Sequence, residues 1–298
     1  MPAPEPDLPP GGERLGIVAG GGSLPVVVAQ AARERGMVPI VARFADGISN
    51  EAITDLSRAF PWGRTGDAID WLYAEGARKL VFCGTISSRP DFRSVIPSLR
   101  TLRILPKALS IVRGGDDVML RNLSRYLETR GFELLAVQEI APRLIAPAGV
   151  LSARPPRPRE MLALAKAHRA ATALGVLDAG QAAVASHERI IALEGIEGTR
   201  DMMRRVAEFR KAKRIGRTES PVLVKAVKPD QDRRFDLPSI GIQTIEEAIA
   251  AGISAIGVSA GESLILGIDD VLDAVNEAGI CLMGLSRDEM DLRGDVQS

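Results

Sequence analysis

The chain has 298 residues, of which 46% are apolar, and its 38 Lys and Arg balance its 38 Asp and Glu, so the formal net charge is zero. That length allows two domains of ordinary size, and the balanced charge argues against a general nucleic-acid-binding protein, which usually carries a basic excess. The Pro-rich start MPAPEPDLPPGGERL lacks a signal-peptide pattern, and no run approaches the ~18 apolar residues of a membrane span. We therefore expect a cytoplasmic protein in which residues 1–14 are a disordered lead-in.

The first half of the chain alternates apolar, strand-like runs with helical patterns. The predicted strands are 15–19, 37–44, 79–83 and 133–137, and the predicted helices are 24–35, 67–75, 96–112 and 116–129. Such alternation favours a parallel sheet with right-handed crossovers. The sequence therefore predicts the α/β fold class, with a Rossmann-like N-terminal domain over residues 15–146.

The second half begins after a Pro-rich stretch. Four prolines in APAGVLSARPPRPR disfavour a helix and predict an interdomain linker at residues 147–159. Residues 160–298 then form a second α/β domain of less regular order. Its predicted helices are 160–174, 199–213, 245–251 and 271–278, and its predicted strands are 181–186, 189–193, 222–227, 255–258, 264–266 and 281–285. Cys83 and Cys281 lie in apolar runs, which predicts buried, reduced thiols.

A glycine-rich turn, AGGGSLP, joins the first predicted strand to the first predicted helix. It does not fit the dinucleotide fingerprint, because Pro25 replaces the third glycine and Arg43 stands where an acidic residue would bind the ribose. A Walker A lysine is also missing. Backbone amides at a helix N-terminus can still bind a phosphate, although a turn that only packs closely is the alternative. The candidate substrate-binding residues here are Gly20, Gly21, Gly22, Ser23 and Leu24.

A second loop, GTISSRPDF, follows the third predicted strand. It leaves the same edge of the sheet as the glycine loop, and ligands of open α/β sheets bind at that edge. The arginine before a proline offers a planar, two-pronged donor for an anion, or it is a surface arginine in a turn. The candidate residues are Gly84, Thr85, Ser88 and Arg89.

The densest polar cluster is KAVKPDQDRRFDLPSIG, residues 225–241. It begins at the end of a predicted strand, and its carboxylates suit Mg²⁺, which prefers oxygen ligands; a solvated surface loop is the alternative. Only two histidines are present, so hydrolytic chemistry would rely on carboxylates and a hard metal. Lys225 is expected to point inward. Less certain metal ligands are Asp116 and Asp117, which can also be helix caps, and Glu194 and Glu197, beside a turn in which Thr199 could contact a phosphate.

The segment 93–115, RSVIPSLRTLRILPKALSIVRGG, contains basic residues interleaved with Val, Ile and Leu and no acidic ones. Such a pattern is typical of a helix on an anionic membrane surface or beside an amphiphilic phosphate. A helix with a basic solvated face is the alternative.

These motifs together resemble the LpxI-type UDP-2,3-diacylglucosamine pyrophosphatases of lipid A biosynthesis. The resemblance spans nearly the whole chain and rests on GIVAGGGSLP, GTISSRP, GDD, AGQAAV, EGIEGT and VKAVKPDQDRRFDLPSIG. One departure is Arg200, which stands before Asp201 where the family pattern has the aspartate directly after the threonine.

The resemblance implies a Mg²⁺-dependent hydrolase of two domains that clasp the substrate, UDP-2,3-diacylglucosamine. Water would attack the β-phosphorus and release UMP and 2,3-diacylglucosamine 1-phosphate (lipid X). Asp236 or Asp232 would be the essential aspartate and a metal ligand, with Asp236 slightly favoured. Lys225 and Arg234 would also be catalytic, and the substrate-binding residues of this half would be Gln181, Thr199, Lys228, Gln231 and Arg233.

The predicted setting is the cytoplasmic face of the inner membrane, with peripheral membrane contact, no nucleic-acid partner and a homodimer as the default assembly. Two other functions remain open at this stage. One is an NAD(P)-dependent oxidoreductase with an atypical glycine loop, and the other is a non-catalytic module that binds nucleotide sugars.

Overall fold

The computed structural model describes residues 12–44, 56–84, 116–229, 234 and 237–286, without side chains for 116–121. The chain divides into two compact units, one of residues 1–143 with 232–236 and the other of residues 144–231 with 237–298. Most of the predicted lead-in and the predicted helix 96–112 lie outside the described residues. Within the described residues, no helix combines the length and the apolar character needed to cross a membrane.

The N-terminal unit is built on a parallel sheet. Its strands are β1 (Arg14–Ala19), β2 (Val38–Phe44), β3 (Leu56–Phe60), β4 (Lys79–Cys83) and β5 (Glu133–Leu135), and its helices are α1 (Leu24–Glu34), α2 (Thr65–Ala74), α3 (Asp116–Thr129) and α4 (Val137–Ile140). The strand order is β3-β2-β1-β4-β5, and each neighbouring pair is parallel. In this order the direction of sheet growth reverses between β1 and β4, which is where open α/β sheets bind their ligands.

Helices cover the central strands of this sheet. Ile40 and Ala42 of β2 pack in one cluster with Leu72 of α2 and Leu127 of α3, while α1 contacts β1, β2 and β4. Strands buried in this way form nearly continuous apolar runs rather than alternating apolar and polar residues. That is why VPIVARF and KLVFC were recognisable as strands in the sequence.

The C-terminal unit is built on a mixed sheet. Its strands are β6 (Gly149–Val150), β7 (Ala182–Ala185), β8 (Ile190–Leu193), β9 (Val222–Lys225), β10 (Ser239–Ile240), β11 (Ala255–Ser259), β12 (Leu264–Ile265) and β13 (Cys281–Leu285). Its helices are α5 (Pro158–Val176), α6 (Gly198–Lys211), α7 (Ile242–Ala251) and α8 (Ile268–Glu277). The main sheet has the order β6-β13-β11-β9-β7-β8, and β10 pairs with β12 separately. Strands β9, β11 and β13 are parallel, whereas β7 runs antiparallel to both of its neighbours.

The two faces of the main sheet carry separate cores. On one face, Val222 and Val224 of β9 pack with Ala163 and Ala167 of α5. On the other face, Leu223 packs in the cluster formed with α6, α7 and α8. The alternation follows from the period-two geometry of a strand. Among the described residues of this unit, one helix covers one face and three cover the other.

Residues 149–154 of the predicted linker are part of this second unit. In β6, Gly149 and Val150 pair with Gly284 and Met283 of β13. Arg154 forms a two-pronged ion pair with the fully buried Glu160, with N–O distances of 2.8 and 2.9 Å. Burial would raise the pKa of the Glu160 carboxyl, but the hydrogen bonds from Arg154 and the amide of Arg157 lower it. The predicted domain limits as such stay a prediction.

The predicted α/β fold class is confirmed, and most elements lie within a few residues of their predicted bounds. Strand β3 was not predicted, because this edge strand lacks a long apolar run and its Ser57 and Arg58 are not buried. It also extended the fourth strand to residue 137, where α4 begins. Cys83 and Cys281 are free and buried, as predicted.

Candidate functional site

The glycine loop and the end of β4 touch at the reversal point of the N-terminal sheet. The amide of Gly20 donates to the carbonyl of Cys83 at 2.9 Å. A Cβ atom on Gly84 would lie only 2.6 Å from the carbonyl oxygen of Gly21, and Gly84 has a φ of +93°. Both observations require glycine at position 84, because a side chain would push into the loop and strain the backbone.

The start of α1 presents polar groups beside this contact. The carbonyl of Ser23 accepts hydrogen bonds from the amides of Val26 and Val27, with distances of 3.1 and 3.2 Å. Its exposed hydroxyl makes no capping hydrogen bond, and a proline occupies the first turn of the helix. The hydroxyl therefore lies at the positive end of the helix dipole, where an anion is stabilised.

In the C-terminal unit, four of the predicted site residues lie close together at one end of the strands of the main sheet. The amide of Gln181 donates to Oε2 of Glu194 at 2.7 Å, and the hydroxyl of Thr199 donates to Oε1 of Glu194 at 2.6 Å. The amide of Ala226, next to Lys225, donates to the carbonyl of Gln181 at 2.9 Å. These residues come together because β7 and β8 run antiparallel, so the start of β7 meets the ends of β8 and β9.

Gln181, at this end of the strands, also has a side-chain amide group. Its Oε1 atom is buried and accepts no hydrogen bond from the part of the chain that the structure describes. A buried polar atom without a partner costs free energy unless something else satisfies it. Such an oxygen can accept a hydrogen bond from a donor on a ligand.

Lys225, at the end of β9, is buried, which agrees with the prediction that its side chain points inward. Its ammonium donates to the carbonyl of Ser239 at 3.0 Å. Ser239 begins β10, on the far side of the polar segment that follows Lys225. The lysine therefore joins the two ends of that segment, a contact that sequence spacing could not indicate.

Lys228 follows shortly after and pairs with Asp178 at 2.6 Å. In addition, the amide of Val227 donates to the hydroxyl of Ser259, at 3.1 Å. Asp178 is one functional candidate that the sequence analysis missed. The signal that could have found it is the helix end LGVLDAG, in which an aspartate occupies a position usually taken by glycine.

The candidate metal ligands that the structure describes have partners within the chain. Both carboxylate oxygens of Glu194 accept the hydrogen bonds from Gln181 and Thr199, and Glu197 pairs with Arg205 at 2.8 Å. Among the described residues, no group of three His, Cys, Asp or Glu could hold a metal ion.

The remaining candidates are only partly described. Asp116 and Asp117 open α3, but their side chains are outside the described part of the structure. Arg234 pairs with Glu128 at 3.1 Å. Both residues belong to the N-terminal unit, which includes residues 232–236. The other predicted site residues lie outside the described residues and are Thr85, Ser88, Arg89, Gln231, Asp232, Arg233 and Asp236.

Comparisons with known proteins bear directly on this set of motifs. The chain matches the family model described as the LpxI N-terminal domain over residues 14–144 and the model described as the LpxI C-terminal domain over residues 147–283. It is 37% identical over 282 residues to the UDP-2,3-diacylglucosamine pyrophosphatase LpxI of Caulobacter vibrioides. The aligned region covers 93% of this chain and 99% of that protein. The resemblance seen in the motifs is thereby confirmed, and the chain belongs to the LpxI family.

Proposed function

We propose that this chain is a UDP-2,3-diacylglucosamine pyrophosphatase of lipid A biosynthesis. The observation that carries the proposal is the 37% identity to a protein of that name, over nearly the full length of both chains. The products would be UMP and 2,3-diacylglucosamine 1-phosphate. Because the substrate carries two acyl chains, we place the reaction at the cytoplasmic face of the inner membrane.

In the proposed reaction, the oxygen of water forms a bond to the β-phosphorus, on the sugar side of the pyrophosphate. The bond from that phosphorus to the bridging oxygen breaks, and the bridging oxygen leaves with UMP. Such a reaction needs neutralised charge on the phosphate oxygens and a water held in line, and it needs no histidine.

Each unit offers groups that suit a pyrophosphate. The loop of Gly20 to Ser23 presents backbone amides and a hydroxyl at the start of α1. In the C-terminal unit, Lys225 is the last residue of β9 and Lys228 lies in the turn that follows, so two ammonium groups lie near the end of this strand. Arg233 and Arg234, which belong to the segment 232–236 of the other unit, would supply two-pronged donors for phosphate oxygens.

We propose Asp232 and Asp236 as the residues that hold Mg²⁺, because carboxylate oxygens are the ligands this ion prefers. When bound, Mg²⁺ supplies charge neutralisation on the non-bridging phosphate oxygens. Asp236 is favoured slightly as the essential aspartate. Glu194 and Glu197 fit the ion less well, since Glu194 already uses both oxygens and Glu197 pairs with Arg205.

The decisive experiment is incubation with UDP-2,3-diacylglucosamine and Mg²⁺ in ¹⁸O-labelled water, followed by mass spectrometry of both products. We expect the label in 2,3-diacylglucosamine 1-phosphate. Label in UMP would overturn attack at the β-phosphorus, and no cleavage would overturn the function. Removal of divalent metal with EDTA should abolish turnover, and added Mg²⁺ should restore it.

Matched variants test the two aspartates. We expect Asp236→Ala, or Asp232→Ala, to lower kcat by about 10²–10³-fold, the usual effect of removing one preorganised electrostatic group. Asp230→Ala, in the same segment, is the control and should retain most activity. Equal activity of all three variants would contradict the assignment.

A further inference from the structure

The C-terminal end of α5 breaks two local sequence rules at once. Gly175 lies in the last turn of the helix, although glycine is among the poorest helix formers. Asp178, just beyond the helix, has a φ of +51°, a left-handed conformation that usually belongs to glycine at this position. Backbone that departs from the usual preference often marks a functional constraint.

The backbone hydrogen bonds show why Asp178 is left-handed. The amide of Asp178 donates to the carbonyl of Gly175, and the amide of Ala179 donates to the carbonyl of Leu174, each at 3.1 Å. This is the Schellman ending of a helix, for which glycine would be the easier residue. An aspartate there has the same backbone and adds a carboxylate at a fixed place.

That carboxylate meets Lys228. The Oδ1 atom of Asp178 accepts from the ammonium of Lys228 at 2.6 Å, and the lysine side chain is only 17% exposed. The Asp178 side chain is 36% exposed, so water screens the pair on the carboxylate side but less on the lysine side. An ammonium has three N–H donors, so a bond to Asp178 is compatible with further bonds to phosphate oxygens.

Gly175 lies close to the backbone of Lys228. A Cβ atom at position 175 would lie 3.1 Å from Cα of Lys228 and 3.3 Å from Cδ of Pro229. Both distances are shorter than ordinary van der Waals contact, so a methyl group at position 175 would press on the backbone of Lys228 and on the ring of Pro229 and shift this turn by a few tenths of an ångström. The two exceptions at the end of α5 therefore have one common partner, Lys228.

We propose that Gly175 and Asp178 are positioning residues that hold Lys228 for the pyrophosphate of the substrate. Gly175 sets the distance of its backbone, and Asp178 sets the direction of its ammonium. This inference rests on the proposed function and deepens it, because it names residues that act on the reaction through another residue.

The first test is Asp178→Gly, which removes the carboxylate and relieves the left-handed backbone. We expect thermal stability to be unchanged or higher, while kcat/KM falls about 10- to 100-fold, as for a misplaced binding group. Lys213→Gly is the matched control, because Lys213 also has a left-handed φ, +56°, just after a helix. It should gain stability in the same way and keep full activity.

The second test separates positioning from a general structural effect. Asp178→Gly combined with Lys228→Met should be no less active than Lys228→Met alone, because Asp178 acts only through Lys228. Asp178→Glu should recover part of the lost activity. Gly175→Ala should lower kcat/KM although alanine normally favours a helix.

A third readout does not depend on activity. Acetylation of amines by an N-hydroxysuccinimide ester, followed by peptide mass spectrometry, should modify Lys228 several-fold faster in Asp178→Gly than in wild type. Unchanged acetylation together with unchanged kcat/KM overturns the positioning role. If wild type does not cleave the substrate, the proposed function fails, and the acetylation rates alone then decide whether Asp178 holds Lys228.

Discussion

The contact between Gly84 and the glycine loop can be tested by a single methyl group. In Gly84→Ala, the new Cβ atom would lie 2.6 Å from the carbonyl oxygen of Gly21 and 2.8 Å from the carbonyl carbon of Gly20. The first distance is about 0.8 Å shorter than the ordinary contact limit of 3.4 Å. Because the neighbouring atoms belong to the backbone, the loop itself has to move.

Two free-energy costs follow from this geometry. An L residue at a φ of +93° costs about 1–3 kcal/mol in backbone strain, and the overpacking costs about another 1–3 kcal/mol. Gly131→Ala isolates the first cost, because Gly131 has a φ of +84° and nothing within 4 Å of the added methyl group. Both residues belong to the N-terminal unit.

We expect Gly84→Ala to unfold roughly 6 °C below Gly131→Ala, which is ~2 kcal/mol at about 2–4 °C per kcal/mol for a protein of this size. The measurement is thermal unfolding followed by circular dichroism. In the pyrophosphatase assay, Gly84→Ala should also lose at least about 10-fold in kcat/KM, because it displaces the glycine loop that we propose as a phosphate-binding element. Equal Tm and equal kcat/KM for the two variants would refute the argument.

Three further predictions concern buried titratable groups. The hydrogen bond from Arg189 is the main reason that the pKa of Glu219 is lowered to about 2. The ionised Glu219 therefore stabilises the folded protein fully above its unfolded pKa of about 4.3, and this stabilisation is lost as the pH falls through 2. Glu219→Gln should cost on the order of 2–3 kcal/mol at pH 7 in urea unfolding, and an unchanged midpoint would contradict this. Glu160→Gln removes the counter-charge of the partly buried Arg154 and should cost about 3 kcal/mol, the lower end of the range for a buried ion pair, so a Tm equal to that of wild type would count against it. Burial raises the pKa of the thiols of Cys83 and Cys281, so neither should react with a thiol reagent at pH 8 before unfolding; rapid reaction of the folded protein would show that they are accessible.

Much of the fold could be predicted from the sequence because its strands are buried on both faces. The runs KLVFC and CLMGL form β4 and β13 with the predicted bounds, since a continuous apolar run between turn residues has few other ways to be buried. The edge strand LSRAF was missed, because Ser57 and Arg58 interrupt the pattern on which that inference depends. An edge strand is held by backbone pairing to its neighbour, and backbone pairing leaves no mark in composition.

The site was predicted in part, for a related reason. The glycine loop and the segment that begins at Lys225 could be found because three consecutive glycines before a helix and closely spaced opposite charges are visible in the sequence itself. The role of Lys225 as a link to Ser239 could not be seen, because its partner is defined by the path of the chain rather than by spacing. The same holds for Asp178, whose importance depends on a contact 50 residues away.

The sequence by itself determined the α/β class, the family motifs and the residue types available for chemistry, because each of these depends on local periodicity and on side-chain identity. Only the tertiary structure decided the strand order, the close approach of Gly84 to Gly21 and the pairing of Lys228 with Asp178. Those features arise between residues far apart along the chain, and the distances that make them specific exist only once the sheets have formed.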